Sequence, residues 1–140
     1  YGWDGTDAVL DFLWPGTIPP NGEKVDWVIT NPPFRLAEEF IRKGLLVSRQ
    51  GVAVIVRTAF LESVGRYKDL FSVNPPSIVA QFTERVPMVR GRLTATGSTA
   101  TAYCWLIWDK DQFATQFRWI PPCRRQLERP GDYPDIEGAS

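Results

Sequence analysis

The chain has 140 residues and contains no histidine, one methionine and two cysteines, Cys104 and Cys123. The absence of histidine excludes catalytic triads that use an imidazole. The two cysteines lack the paired spacing of metal ligands, which argues against a zinc site. No apolar run approaches the roughly 18 residues of a membrane span, and no basic segment leads into an apolar stretch as in a signal peptide. We therefore expect a soluble, intracellular protein of the cytoplasm, without a membrane partner.

The chain also lacks an excess of charge of either sign. Lys and Arg together number 16, and Asp and Glu together also number 16. A nucleic-acid partner would therefore have to be bound by a local basic patch, not by the field of the whole chain. The length favours one domain large enough to bury a core and leaves little room for a second.

Apolar runs of two kinds alternate along the chain and predict an α/β fold. Residues 25 to 30 form a short apolar run, typical of a parallel strand covered on both faces. Residues 35 to 49 have the period of an amphipathic helix, and residues 52 to 56 the composition of a central strand. Together they predict a strand-helix-strand crossover. The other predicted elements are a helix over 60 to 71, strands over 78 to 82 and 102 to 108, a long loop between those strands, and an extended tail from residue 120.

The sequence Asn-Pro-Pro occurs twice, at Asn31 and at Asn74. Asn is a favoured helix N-cap and Pro a favoured first helical residue, so either copy can be a simple boundary. Asn74 follows a predicted helix, which favours that interpretation. Asn31 instead lies where a parallel strand ends, and ligands of open α/β sheets bind at such ends. There the Asn31 side-chain oxygen, the Pro32 carbonyl and the Phe34 ring suit an exocyclic amine on a flat ring.

The sequence DWVITNPPF resembles the catalytic motif, Asp/Asn/Ser-Pro-Pro followed by an aromatic residue, of amino-methyltransferases that use S-adenosylmethionine. The resemblance is strongest to the DNA adenine-N6 methyltransferases. GVAVIVR resembles the next strand of that fold, RTAFLESVGRYKDLF its following helix, and TATAYCWLIWDK the late strand that closes the sheet. The tail FRWIPPCRRQLERPGDY is similar to those of small phage and prophage adenine methyltransferases. The implied fold is a partial Rossmann-like sheet, mostly parallel with a late antiparallel strand and without the first strands. It would comprise a truncated catalytic domain over residues 1–119 and an extended tail over 120–140.

By this resemblance the protein transfers a methyl group from S-adenosylmethionine to the N6 amine of adenine in double-stranded DNA. The implied catalytic residues are Asn31, Pro32, Pro33 and Phe34. The target adenine would be flipped out of the duplex and stacked on Phe34, with its N6 hydrogens bonded to the Asn31 oxygen and the Pro32 carbonyl. Positioning and electrostatics govern such a displacement, so the lack of histidine is compatible with it.

The cofactor motifs of the family are represented only in part. Its glycine-rich loop and ribose-binding acid have no counterpart in this sequence. DAVLDFLW resembles a further cofactor motif, which implies Asp11 and Phe12 as contacts to the cofactor adenine; a surface Asp beside a core Phe is the structural alternative. We expect weak or absent binding of S-adenosylmethionine by this chain alone. The chain would be a fragment, a remnant or half of a split enzyme, and a second copy or a complementing N-terminal fragment would pair with its exposed sheet surface.

Three arginines, Arg85, Arg90 and Arg92, lie in the long predicted loop, where the family places residues that contact the target DNA. Arginine there can hold phosphates or read a guanine edge, although a solvated loop is the alternative. Two other functions stay open. RNA guanine-N2 and protein glutamine methyltransferases have similar Asn-Pro-Pro-aromatic corners. A degenerate, non-catalytic DNA-binding or interaction module would keep the corner without the chemistry.

Overall fold

The computed structural model describes residues 10–17, 22–88 and 100–132. In this part of the chain, five strands form one mixed sheet and three short or medium helices flank it. No helix there is long and apolar enough to cross a membrane. The α/β class is confirmed. The strands are β1 (Val25–Thr30), β2 (Ser48–Arg57), β3 (Ile78–Phe82), β4 (Tyr103–Asp109) and β5 (Gln116–Ile120), and the helices are α1 (Ala37–Val47), α2 (Val64–Arg66) and α3 (Arg124–Leu127).

The sheet has the order β1-β2-β4-β3-β5. Strand β1 is parallel to β2 and β3 is parallel to β5, whereas β4 runs antiparallel to both β2 and β3. The predicted late antiparallel strand is thus confirmed. Since β1, β2, β3 and β5 share one direction, their carboxyl ends meet at a single edge, together with the start of β4. We call this edge the carboxyl edge.

The core lies between one face of the sheet and helix α1. Acidic residues in the first turn of α1 complement the helix dipole, and its apolar stripe faces the sheet. Gly44 allows a close approach, since a Cβ atom there would lie only 3.0 Å from a methyl group of Val52. Beneath the helix, alternate residues of the two central strands are at most 3% exposed: Val52, Val54, Val56, Cys104, Leu106 and Trp108.

Strand β1 differs from its prediction in one respect. Val28 packs against the core, but Ile29, on the opposite face, is 67% exposed. Among the described strands β1 pairs only with β2, and its Asp26 forms an ion pair with Arg49 at 2.9 Å. The prediction that this strand is covered on both faces is therefore wrong. Its apolar residues Val25, Trp27 and Val28 are half-buried, and Ile29 is exposed.

The predicted helix over residues 60 to 71 is broken into three pieces. A 3-10 turn covers Thr58–Leu61, helix α2 follows, and a π-helical turn covers Tyr67–Phe71. Ser63 causes the break because its backbone is extended (φ −164°, ψ 124°) and its side chain accepts the N–H of Arg66 as an N-cap. The first and the last of these turns each bury one apolar residue, Phe60 and Leu70, and α2 between them buries none.

Strand β5 is an element that the sequence analysis did not predict. Its residues alternate as a strand requires, yet its apolar side chains Phe117 and Trp119 are 56% and 66% exposed. The predicted extended tail also contains the one-turn helix α3. The strand is short and its apolar residues face outward, so its sequence does not have the apolar run by which the buried strands were predicted.

Gly51 offers a test of the packing between the three strands around it. A Cβ atom there would collide with the Trp108 carbonyl oxygen and lie 2.5 Å from the Trp27 ring. Gly51→Ala is therefore expected to lower the free energy of unfolding by at least about 2 kcal/mol in urea. Gly65→Ala is the control, because the nearest atom to its Cβ is 3.8 Å away. Equal stability of the two variants would contradict this packing.

Candidate functional site at the carboxyl edge

Residues 31–33 form an extended connection at the end of β1. Pro33 has φ −54° and ψ 127°, and its carbonyl accepts the N–H of Leu36 at 2.8 Å, which starts the 3-10 turn Phe34–Leu36. Pro32 is buried, whereas Asn31 is exposed. Among the described residues, neither the Asn31 amide nor the Pro32 carbonyl has a hydrogen-bond partner. The exposed Asn31 amide is therefore available to a ligand, and the Pro32 carbonyl has no described hydrogen bond that a ligand would have to replace.

The interpretation of Asn31 as a helix cap is wrong. The caps of the 3-10 turn and of α1 are Pro33 and Leu36, and neither makes a side-chain capping hydrogen bond. The second Asn-Pro-Pro copy has structural contacts instead: the Asn74 N–H donates to the Leu70 carbonyl at 2.7 Å, and the Asn74 carbonyl accepts the indole N–H of Trp108 at 2.8 Å. The backbone of Asn74 is thus bonded within the fold, whereas the Asn31 amide and the Pro32 carbonyl have no described partner.

Phe34 lies against two residues of the neighbouring strands. The guanidinium carbon of Arg57 is 4.5 Å from the centroid of the Phe34 ring, and the Tyr103 ring centroid is 6.0 Å away at an interplanar angle of 37°. Arg57 and Tyr103 are direct partners in the register of β2 and β4. The ring remains 39% exposed. The strand register thus sets the surroundings of this ring.

Two pockets adjoin Phe34, and both are lined by Phe34 and Arg57. The smaller, of about 190 Å³, also contains Phe60 and Arg66, and the larger, of about 630 Å³, also contains Arg35. No acidic residue of the described chain lines either pocket. The sequence analysis missed these arginines. The one available signal was Arg57, a charged residue that ends the otherwise apolar run GVAVIVR.

A hydrogen-bond network holds the ends of three strands at the carboxyl edge. The Thr58 hydroxyl donates to the Gln81 side-chain oxygen at 2.9 Å, and the Gln81 amide donates to the Tyr103 carbonyl at 3.0 Å. The Thr58 N–H donates to the Ala102 carbonyl at 2.9 Å. These bonds link β2, β3 and β4, and thereby stabilise the position of Tyr103 beneath Phe34.

Asp11 and Phe12, implied as cofactor contacts, lie on the outer side of helix α1. The Asp11 carboxylate accepts the N–H of Leu13 at 3.0 Å. The Phe12 ring stacks on Phe40 with centroids 5.0 Å apart, and the Lys43 ammonium is 5.6 Å from the Phe12 centroid. Neither residue lines the two pockets at Phe34. Their contacts are those of a surface Asp and a packed Phe.

Of the three arginines predicted to contact DNA, Arg85 is the one that the structure describes. Arg90 and Arg92 lie outside the described residues. Arg85 follows β3, and its guanidinium donates to the Ala100 carbonyl at 2.7 Å. Because β3 is three strand spacings from β1, Arg85 is roughly 14 Å along the edge from the Asn31 corner. The structure therefore places Arg85 at the stem of the loop between β3 and β4.

The two cysteines are expected to differ in reactivity. Burial raises the pKa of the Cys104 thiol to about 11, so the thiol stays protonated at neutral pH, whereas Cys123 is half-buried. A thiol-specific disulfide reagent at pH 8 should modify the Cys123 thiol of the folded chain about 100-fold faster than the Cys104 thiol. Cys123→Ser should abolish the fast phase and Cys104→Ser should leave it unchanged. Two equally fast phases in the folded protein would contradict the burial of Cys104.

Among the described residues, no three side chains of Cys, Asp or Glu converge as metal ligands would. Comparisons with protein-family models, with curated proteins and with solved structures give no match.

Proposed function

We propose that the chain is the substrate-binding and catalytic part of an S-adenosylmethionine-dependent methyltransferase that acts on the N6 amine of adenine in DNA. One observation carries this proposal. At the end of β1, two acceptors without described partners, the amide oxygen of the exposed Asn31 and the carbonyl of the buried Pro32, closely precede Phe34, a residue that is 39% exposed. This is the chemistry that a flat ring with an exocyclic amine requires.

The corner acts on the amine by orienting it. An exocyclic amine has two hydrogens, and each is a donor to one acceptor of the corner. Bonds in this direction draw the nitrogen lone pair out of conjugation with the ring and leave it free to attack a methyl donor. The prolines lack N–H groups and stiffen the backbone, so the acceptors are held in place before the substrate binds.

The sheet supports the same proposal. The strand after the corner, β2, is parallel to β1, and the next strand in space, β4, is antiparallel. This arrangement agrees with the resemblance, which implies a mostly parallel sheet closed by a late antiparallel strand. The corner lies at the carboxyl edge, where ligands of open α/β sheets bind.

The residues implied as cofactor contacts pack against other parts of the chain. Asp11 and Phe12 are engaged with Leu13 and with helix α1, and no acid lines the pockets at Phe34. The proposal therefore assigns to this chain the binding and orientation of the target base. The methyl donor would be held with the help of groups beyond those described.

The lack of the family's glycine-rich loop in the sequence favours a second candidate, a non-catalytic module that binds DNA through the same corner. Methyl incorporation into duplex DNA, ribosomal RNA and a release factor separates the alternatives. Incorporation into DNA alone supports the adenine methyltransferase, incorporation into RNA or release factor supports the related enzymes, and DNA binding without incorporation supports the module.

Asn31 gives the sharpest test of the corner. The chain should prefer a duplex with a mismatched adenine over one with purine, which lacks the amine, by about 10-fold, the value of one to two hydrogen bonds. Asn31→Ala removes one of the two acceptors and should lower this preference to about 3-fold or less. It should also lower methyl incorporation, where present, by at least about 100-fold. Asn74→Ala is the matched control, since Asn74 is exposed and its described bonds use only its backbone. An unchanged preference in Asn31→Ala would contradict the proposed role.

Binding of the cofactor is measured separately by calorimetric titration. S-Adenosylmethionine is expected to bind the isolated chain with a dissociation constant weaker than about 1 mM, because the described residues supply no acid for it near Phe34. Asp11→Asn should not change this result. Micromolar binding would contradict the expectation, and its loss in Asp11→Asn would assign Asp11 to the cofactor.

A further inference from the structure

We propose that Arg57 and Arg66 form a phosphate-binding site beside Phe34 that holds the DNA backbone next to the target base. The proposal rests on the proposed function for the identity of the base, but its own ligand is the phosphodiester group. Neither arginine is among the three, Arg85, Arg90 and Arg92, to which the sequence analysis assigned DNA contacts.

The two guanidinium groups line one pocket and are held in similar ways. Arg57 stacks on Phe34 with 4.5 Å between guanidinium carbon and ring centroid, and Arg66 stacks on Phe60 at 4.2 Å. Arg66 also donates to the Phe60 carbonyl. Stacking on a ring orients the planar guanidinium and leaves donors at its rim free. The pocket is therefore bounded by two oriented cations.

No carboxylate among the described residues forms an ion pair with these two arginines. Arg42, Arg49 and Arg124 each form an ion pair with a carboxylate. No such pair is found for Arg57 or Arg66 among the described residues, and Arg35 adds a third cation at the adjoining pocket. A cluster of unpaired cations in a chain of net charge zero produces a local positive potential. This potential selects an anionic substrate.

The shape of the ligand follows from the position of the site. A phosphodiester accepts two parallel N–H bonds from a guanidinium. The neutral glutamine side chain that a protein glutamine methyltransferase would bind is a poorer partner for these cations. In a nucleotide the base and its phosphate are joined by one sugar. A base stacked on Phe34 therefore brings its phosphate close to the cations that surround this ring.

The position of Arg57 on Phe34 also implies that its side chain moves when the base binds. Its guanidinium covers one face of the Phe34 ring, as a flat base would. When a flipped base stacks on that face, Arg57 must leave it, and the adjacent phosphate offers the guanidinium a stronger, charge-assisted partner. The free site is thus protected by the same side chain that binds the backbone in the complex.

The test is the salt dependence of DNA binding by the full chain. A fluorescent duplex with one mismatched adenine is titrated at several NaCl concentrations, and the folding of each variant is checked by circular dichroism. The double variant Arg57→Gln, Arg66→Gln should bind at least about 10-fold more weakly at low salt and reduce the slope of log K against log[NaCl] by about 2. Arg57→Lys, Arg66→Lys keeps both charges and should retain most of the slope.

The charge-matched control is Arg49→Gln, Arg118→Gln. Arg49 begins β2 at the opposite edge of the sheet, and Arg118 lies on β5, four strand spacings from β1. This control should keep the parental slope. Equal slopes for the control and for Arg57→Gln, Arg66→Gln would overturn the site, as would tighter binding of an RNA duplex of the same sequence.

A neutral backbone provides an independent arm. Methylphosphonate linkages on both sides of the mismatched adenine should weaken binding by the parent and not by Arg57→Gln, Arg66→Gln. The preference for adenine over purine is read in the same titrations. If this preference is present but the arginine variants bind as the parent does, the phosphate site is refuted and the proposed function stands. If the arginine variants bind DNA more weakly than the parent but the parent shows no preference for adenine over purine, the phosphate site stands and the proposed function is refuted.

Discussion

The packing of helix α1 on strand β2 is the interaction on which the site depends. Gly44 brings the helix within van der Waals contact of Val52, and the burial beneath it involves both central strands. Because α1 joins β1 to β2, this packing holds the two strands parallel and side by side. Their carboxyl ends then lie next to each other, which places the Asn31 corner beside Arg57. The core thus sets the geometry of groups that are themselves exposed.

The site at the carboxyl edge consists of hydrogen-bond acceptors and stacked arginines. It differs from active sites that use acids and bases with shifted pKa values. The corner contributes neutral oxygen atoms and the arginines contribute cations. Burial raises the pKa of the Cys104 thiol near the carboxyl edge, which disfavours the reactive thiolate. The binding of substrate by such a site depends on salt much more than on pH.

The sequence predicts the elements whose signal is local. The strands at residues 25–30 and 78–82 have the predicted bounds, because short apolar runs need no partner to be recognised. The exposure of Asn31 follows from its place after a strand. The surroundings of Phe34 were not predictable, since Arg57 meets Tyr103 only through the register of two strands far apart in sequence. Strand β5 was missed because its apolar side chains face outward, where pairing and not burial stabilises it.

The bond between Arg85 and the Ala100 carbonyl closes the stem of the segment that joins β3 to β4. The two ends of the segment are thereby held at a fixed distance from each other. Changes of length or composition between these ends are then expected to leave the core strands and the corner beside Phe34 in place.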